Sequence, residues 1–212
     1  VEKKINGKTR AIAFVGYGGR VGKLDQIIAI AKKHGLKVIL DAAHMAGTKV
    51  NGTFPGTWDG VDVAVYSYQA VKNLPTGDSG MICFADKKLD AECRMVSWMG
   101  INKDTYSRST SEGTYKWNYG VDYLGYKYNG NAIMAAIALA QLPYLDEENA
   151  RRREMCAIYD EEFAKNDKIQ VVDAPYKEEC AYHIYELIVP DREGLLAEMA
   201  RNDIYGGVHY RD

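Results

Sequence analysis

Apolar runs of two kinds alternate through residues 11–90, and that alternation limits the folds open to the chain. The runs "AIAFV" (11–15), "KVILD" (37–41), "DVAVYS" (62–67) and "GMICFAD" (80–86) have the length of buried strands. Between the first two lies "LDQIIAIAKKHG", with apolar residues at Leu24, Ile27, Ile28 and Ala31 and a stop at Gly35. A short helix is expected from Lys87. Strand, helix, strand in that order implies parallel pairing and an α/β layer. In such sheets chemistry gathers at the carboxyl ends of the strands. Asp41 ends the second run, Ser67 ends the third, and Lys72 follows in the next loop.

The glycines of "GYGGRVGK" (16–23), directly behind the first run, raise the question of a phosphate loop. A dinucleotide fingerprint needs a third glycine where this chain has Val21. A P-loop needs glycine where Tyr17 stands, and Ser or Thr where Leu24 stands. Both patterns fail, so the loop reads as the turn into the helix that begins at Leu24.

Charge and cysteine usage exclude further classes. Lys and Arg total 27 against 29 Asp and Glu, a net charge of −2, so no basic field draws nucleic acid or an acidic membrane surface. Cys83, Cys93, Cys156 and Cys180 are scattered with no C-x-x-C pair. That argues against a metal cluster or disulfide framework and for a reducing, cytoplasmic setting. No apolar run reaches membrane-spanning length, and the polar opening "VEKKINGKTR" has no signal-peptide pattern.

Residues 97–129 break the alternation: they are rich in Tyr, Trp and Gly and have no period. Such a segment serves function or a partner interface, or is a surface excursion held by its own aromatics. Beyond it, "NAIMAAIALAQL" (131–142) is spaced for a closely packed helix, Pro143 kinks or ends it, and a charged helix follows. The tail reads as a strand ("AYHIYELIV"), a helix ("REGLLAEMARN") and the start of a strand ("GGVHY"). The expected division is a large α/β part at 1–150, with the excursion inside it, and a smaller α+β unit at 151–212.

An aspartate ending a buried strand is costly unless it meets a cation. A lysine in a partly desolvated pocket can have a lowered pKa and form a Schiff base. A carboxylate opposite a pyridine nitrogen, with such a lysine, is how proteins hold pyridoxal phosphate (PLP). Asp41, Ser67 and Lys72 suit that pattern. Taken singly, they are better read as a capping aspartate, a strand-end serine and a surface lysine, and spacing alone proves no cofactor site.

The strings themselves are more specific. "LDAAHMAGTKVNGTFPGTWDGVDVAVYSYQAVKNLPTGDSGMICFAD" (40–86) resembles the core of the DegT/DnrJ/StrS family of PLP-dependent sugar aminotransferases. The features it shares are a D-A-A-[HQ] strand end, S-[FY]-x-x-x-K-N-L and a G-[DE]-x-G turn. "YLGYKYNGNAIMAAIALAQL" (123–142) and "GVHY" (207–210) resemble two later blocks, so the likeness runs from about Ala11 to the end. It implies the type I aminotransferase fold, an α/β large domain with a smaller, here incomplete, C-terminal domain. By resemblance, Lys72 is the Schiff-base lysine and proton carrier, and Asp41 pairs with the pyridine nitrogen. His44 lies near the ring and its 3′-oxygen, and Ser67 holds the phosphate. Asn129 reaches the phosphate of the neighbouring subunit in a homodimer with shared sites. His209 is a weaker candidate for contacting substrate. His34 and His183 are read as a surface and a core histidine.

The implied reaction is PLP-dependent transamination of a nucleotide-linked keto-sugar, with L-glutamate as donor. Dehydratase relatives carry His where this chain has Lys72, which favours transamination over dehydration or elimination. Gly130, Asn131 and Ala132 depart from the family's Met-Thr-Asp. The family's opening phosphate turn and ring-stacking aromatic are not found before Ala11, so the resemblance implies an internal fragment. A non-catalytic PLP-binding or dimerising piece is the alternative from another class.

Overall fold

The computed structural model describes residues 1–102, 119–173 and 175–210. Strands β1 (Ala11–Val15), β2 (Lys37–Asp41), β3 (Val63–Ser67) and β4 (Gly80–Phe84) form one sheet in the order β1-β2-β3-β4. The sheet is mixed. β1 with β2 and β2 with β3 pair in parallel, as the strand–helix–strand order implies. β4 runs antiparallel to β3, with Ser67 opposite Gly80. The cause is the connection. Residues 68–79 form no crossover helix but fold back on themselves, with Tyr68 N–H donating to Ser79 O and Ala70 N–H to Gly77 O, both at 2.7 Å. A chain that returns through such a closed loop pairs antiparallel.

Helix α1 (Leu24–His34) covers the sheet. Leu24, Ile27, Ile28 and Ala31 fall on one face and are buried with Val38, Leu40 and Ala64 in one core. Leu24 is 0% exposed, a burial worth about 2 kcal/mol. Gly35 ends the helix in the left-handed region (φ 64), and Lys32, Lys33 and His34 complement the dipole in its last turn. Helix α2 (Lys87–Ser97) begins where expected, because Asp86 accepts from Lys88 N–H at 2.8 Å.

Of the aromatic excursion, residues 103–118 lie outside the described residues. At its two ends the chain pairs with itself, Trp98 with Lys127 and Ile101 with Val121. Helix α3 (Ala132–Gln141) starts at the Asn131 cap, whose side chain accepts from Met134 N–H at 3.0 Å. Pro143 sits in a 3-10 turn (Leu142–Tyr144) that ends α3 and leads into helix α4 (Leu145–Phe163), as the sequence implied.

The tail departs from expectation. The strand expected over 181–189 shrinks to β6 (Leu187–Ile188), antiparallel to β5 (Gln170–Val171). Residues before it are diverted: Tyr182 is left-handed (φ 41), and His183 N–H donates to Gly18 O at 3.0 Å. Helix α5 (Arg192–Arg201) forms behind the Asp191 cap. "GGVHY" forms no strand. Gly206 and Gly207 offer no side chains to pack, and no strand among the described residues pairs there. Among the described residues, no helix is long and apolar enough to cross a membrane.

Candidate active site

The parallel register places the chemistry. Val15 pairs with Asp41 and Asp41 with Val65, so Asp41 stands at the carboxyl edge between two strands. The edge is pinned by Gly16 N–H donating to Asp41 O (2.9 Å) and Ala42 N–H to Val65 O (2.8 Å). Asp41 Oδ1 accepts from Ala43 N–H at 3.1 Å. Met45 N–H donates to Ala42 O at 2.8 Å, and this turn swings His44 back over the edge. His44 Nδ1 accepts from Gly18 N–H at 3.2 Å, and its ring lies 5.8 Å from that of Tyr17.

Lys72 sits half-buried in the closed loop after β3, with its own N–H donating to Gln69 O at 2.9 Å. Burial holds its ammonium below the usual lysine range, and the Asp41 carboxylate opposes that shift. Burial also lowers His44; the Lys72 charge adds to this and Asp41 counters it. Asp41, His44 and Lys72 are therefore brought together. Ser67, at the end of β3, accepts from Gln69 N–H at 3.4 Å.

Asn129 is exposed, and its backbone N–H donates to Ser97 O at 3.1 Å. Its Oδ1 accepts from Lys127 Nζ at 2.6 Å, and its Nδ2 donates to Gly130 O at 3.0 Å. Lys127 in turn lies over the Trp98 ring at 3.8 Å. His209 is exposed but near the cluster: its carbonyl accepts from the Tyr17 hydroxyl at 2.5 Å, and its charge acts on His44. His34 lies on the surface, 2.7 Å from Glu2.

Sequence reasoning missed His183. Its ring packs 4.4 Å from that of His44, and its Nδ1 lies 2.9 Å from Asn73 Oδ1. Burial, reinforced by His44, Lys72, Arg152 and His209, pushes it down to about 4, so the ring is neutral near pH 7. Its one available signal was Asn73, directly after Lys72 in "KNL". The glycine loop has a second role beside the expected turn. It is a turn into α1, and its carbonyls also receive the C-terminal part: Gly18 O accepts from His183 N–H, and Gly19 O accepts from Cys180 Sγ at 3.3 Å as well as from Thr48 Oγ1 at 2.7 Å.

A carboxylate, an imidazole and a half-buried amine at the carboxyl edge of an α/β sheet suit chemistry at a bound electrophile. Solved structures similar to the chain include sugar aminotransferases. The sugar aminotransferase CalS13 from Micromonospora echinospora matches with a TM-score of 0.84 and 30% identity, over 96% of this chain and 55% of that one. Spr1654 from Streptococcus pneumoniae, solved in PLP- and PMP-forms, matches in the PMP-form with a TM-score of 0.84 and 26% identity, over 99% of this chain and 58% of that one. The chain belongs to the DegT/DnrJ/EryC1/StrS aminotransferase family, whose sequence model matches residues 1–212. Among relatives, the spore coat polysaccharide biosynthesis protein SpsC of Bacillus subtilis is 33% identical over 196 residues, covering 91% of this chain and 49% of that protein. The chain spans about half the length of the curated relatives it matches.

Proposed function

We propose that the full-length protein is a PLP-dependent aminotransferase of the type I fold that converts a nucleotide-linked keto-sugar into an amino-sugar, with L-glutamate as donor. The observation that carries this is the convergence of Asp41 and His44 with Lys72, whose amine burial holds below its ordinary range.

The residues fit the cofactor. Asp41 accepts only the short turn bond from Ala43 among its described side-chain contacts, so lone pairs remain for a ring nitrogen's proton. Lys72 Nζ would hold the group covalently and, once released, carry a proton to and from the substrate carbon. Burial lowers the Lys72 ammonium, which favours the neutral amine that this exchange needs. His44 would border the ring hydroxyl, and Ser67 would take the phosphate. By the family resemblance, the exposed Asn129 would serve the neighbouring subunit's phosphate in a homodimer. When bound, PLP supplies the electron sink that makes the amino carbon acidic. A cytoplasmic setting goes with this reading.

The sugar substrate rests on the likeness to CalS13 and SpsC, and the cofactor on the forms of Spr1654. The test uses full-length protein. Borohydride reduction in the presence of PLP should fix a pyridoxyl group on the peptide carrying Lys72, and Lys72→Ala should lose it. With a nucleotide-linked keto-sugar and glutamate, an amino-sugar and 2-oxoglutarate should form together. Keto-sugar loss without amino-sugar would turn the assignment to dehydration or elimination. No fixed pyridoxyl group in the parent protein would end the cofactor reading.

A further inference from the structure

Two side-chain amides tie the Lys72 loop to the rest of the molecule, and backbone carbonyls fix which way each amide faces. Asn149, 1% exposed, donates from Nδ2 to Ala46 O at 2.9 Å. A carbonyl only accepts, so Asn149 Oδ1 is turned toward Asn73. Asn73 Nδ2 meets that Oδ1 at 2.7 Å and Ala181 O at 2.7 Å. Both of its hydrogens are therefore spent, and its Oδ1 faces His183 Nδ1 at 2.9 Å. An amide oxygen needs a donor, so the His183 hydrogen is on Nδ1 and its Nε2 carries a lone pair.

The neighbouring ring has the opposite tautomer. His44 Nδ1 faces the Gly18 backbone N–H, which only donates, so the neutral His44 ring carries its hydrogen on Nε2. The two rings touch at 4.4 Å with a 42° tilt. The backbone of His183 is bonded to Gly18 O, so the ring cannot slide away without releasing the glycine loop.

We propose that His183 is a positioning residue for the site, held as its Nδ1–H tautomer by Asn73 and bracing both the Lys72 loop and the plane of His44. Docking of residues 180–183 on the glycine loop and orientation of Lys72 then become one event. The reading rests on Lys72 being the cofactor lysine, but the tautomer does not.

Nitrogen-15 correlation spectra of the cofactor-free, full-length protein should place the hydrogen on Nδ1 of His183 and on Nε2 of His44. His183→Asn puts an amide N–H where Nδ1 stands, while His183→Leu fills the space without a donor. Fixation of the pyridoxyl group on Lys72 should stay within about threefold of the parent rate in H183N and slow roughly tenfold or more in H183L. The comparison is made where both variants are equally resistant to urea unfolding, so that lost stability alone does not mimic the result. A hydrogen on Nε2 of His183, or equal rates in the two variants, overturns the proposal. If the parent fixes no group on Lys72, the cofactor reading fails, and the tautomer still decides whether Asn73 holds His183 in place.

Discussion

Arg20 of the glycine loop and Glu186, just before β6, form a buried ion pair, with side chains only 7% and 15% exposed. The guanidinium also lies 5.3 Å from the Tyr182 ring centroid. The pair is incompletely served: among the described residues, the buried Arg20 Nε and Nη2 and Glu186 Oε1 find no hydrogen-bond partner. Burial pushes the Glu186 carboxyl up, and Arg20 pulls it back. Desolvation of such a pair can exceed its attraction, while removal of one partner strands the other charge. Arg20→Met or Glu186→Leu alone should therefore cost about 3 kcal/mol or more in urea unfolding of the full-length protein. The double variant should return to within about 1 kcal/mol of the parent. Losses that simply add in the double variant would show that the two charges are not coupled.

The same loop predicts an asymmetry between two left-handed glycines. Gly19 has φ +92, and a Cβ there would lie 3.0 Å from His44 O and 3.0 Å from Tyr182 N, both backbone atoms. Gly35 has φ +64 and open space around it. Gly35→Ala should cost only the left-handed penalty, about 1 kcal/mol. Gly19→Ala should cost about 2 kcal/mol beyond that, because two backbone segments must part. Equal urea midpoints for the two variants would contradict the close approach.

His183 gives the acid side of the stability profile a direction. Its ordinary value is 6.5 and burial brings it to about 4. As pH falls through 6.5, the unfolded chain takes up this proton and the folded chain does not. The contribution is therefore present in full above pH 6.5 and is lost progressively toward pH 4. His44, lowered mainly by burial, adds to the loss in the same direction. Urea midpoints of the full-length protein should fall over this window, and His183→Asn, which does not titrate, should flatten the fall. An unchanged slope in that variant would place the proton uptake elsewhere.

The strand and helix cores were legible because single periods govern them: Leu24, Ile27, Ile28 and Ala31 mark α1 from sequence alone, and Gly35 marks its end. Pro143 was legible for its missing donor and fixed φ. The direction of β4 was not, since it depends on whether residues 68–79 cross over or close on themselves. His183 was not legible either. A histidine within an apolar run reads as core, and only the fold brings it against His44 and Asn73, the latter 110 positions away. Asp41 and Lys72 were nominated by strand-end placement and family resemblance; what spacing could not supply was the electrostatic link between them.

That link predicts how Lys72 responds when Asp41 changes. Burial lowers the Lys72 ammonium and the Asp41 carboxylate partly restores it. Asp41→Asn keeps the size and the Ala43 turn bond but removes the charge, so the lowering is left unopposed. In the cofactor-free, full-length protein, the pH midpoint for labelling Lys72 with an amine-selective reagent should move further down in D41N. His44 should respond in the same direction, because Asp41 also raises it. Asp41→Glu retains the charge and should move both midpoints less than D41N does. A D41N protein whose Lys72 midpoint stays put or rises would mean that the carboxylate does not act on the amine. Asp41 would then be only the residue that closes the turn after β2.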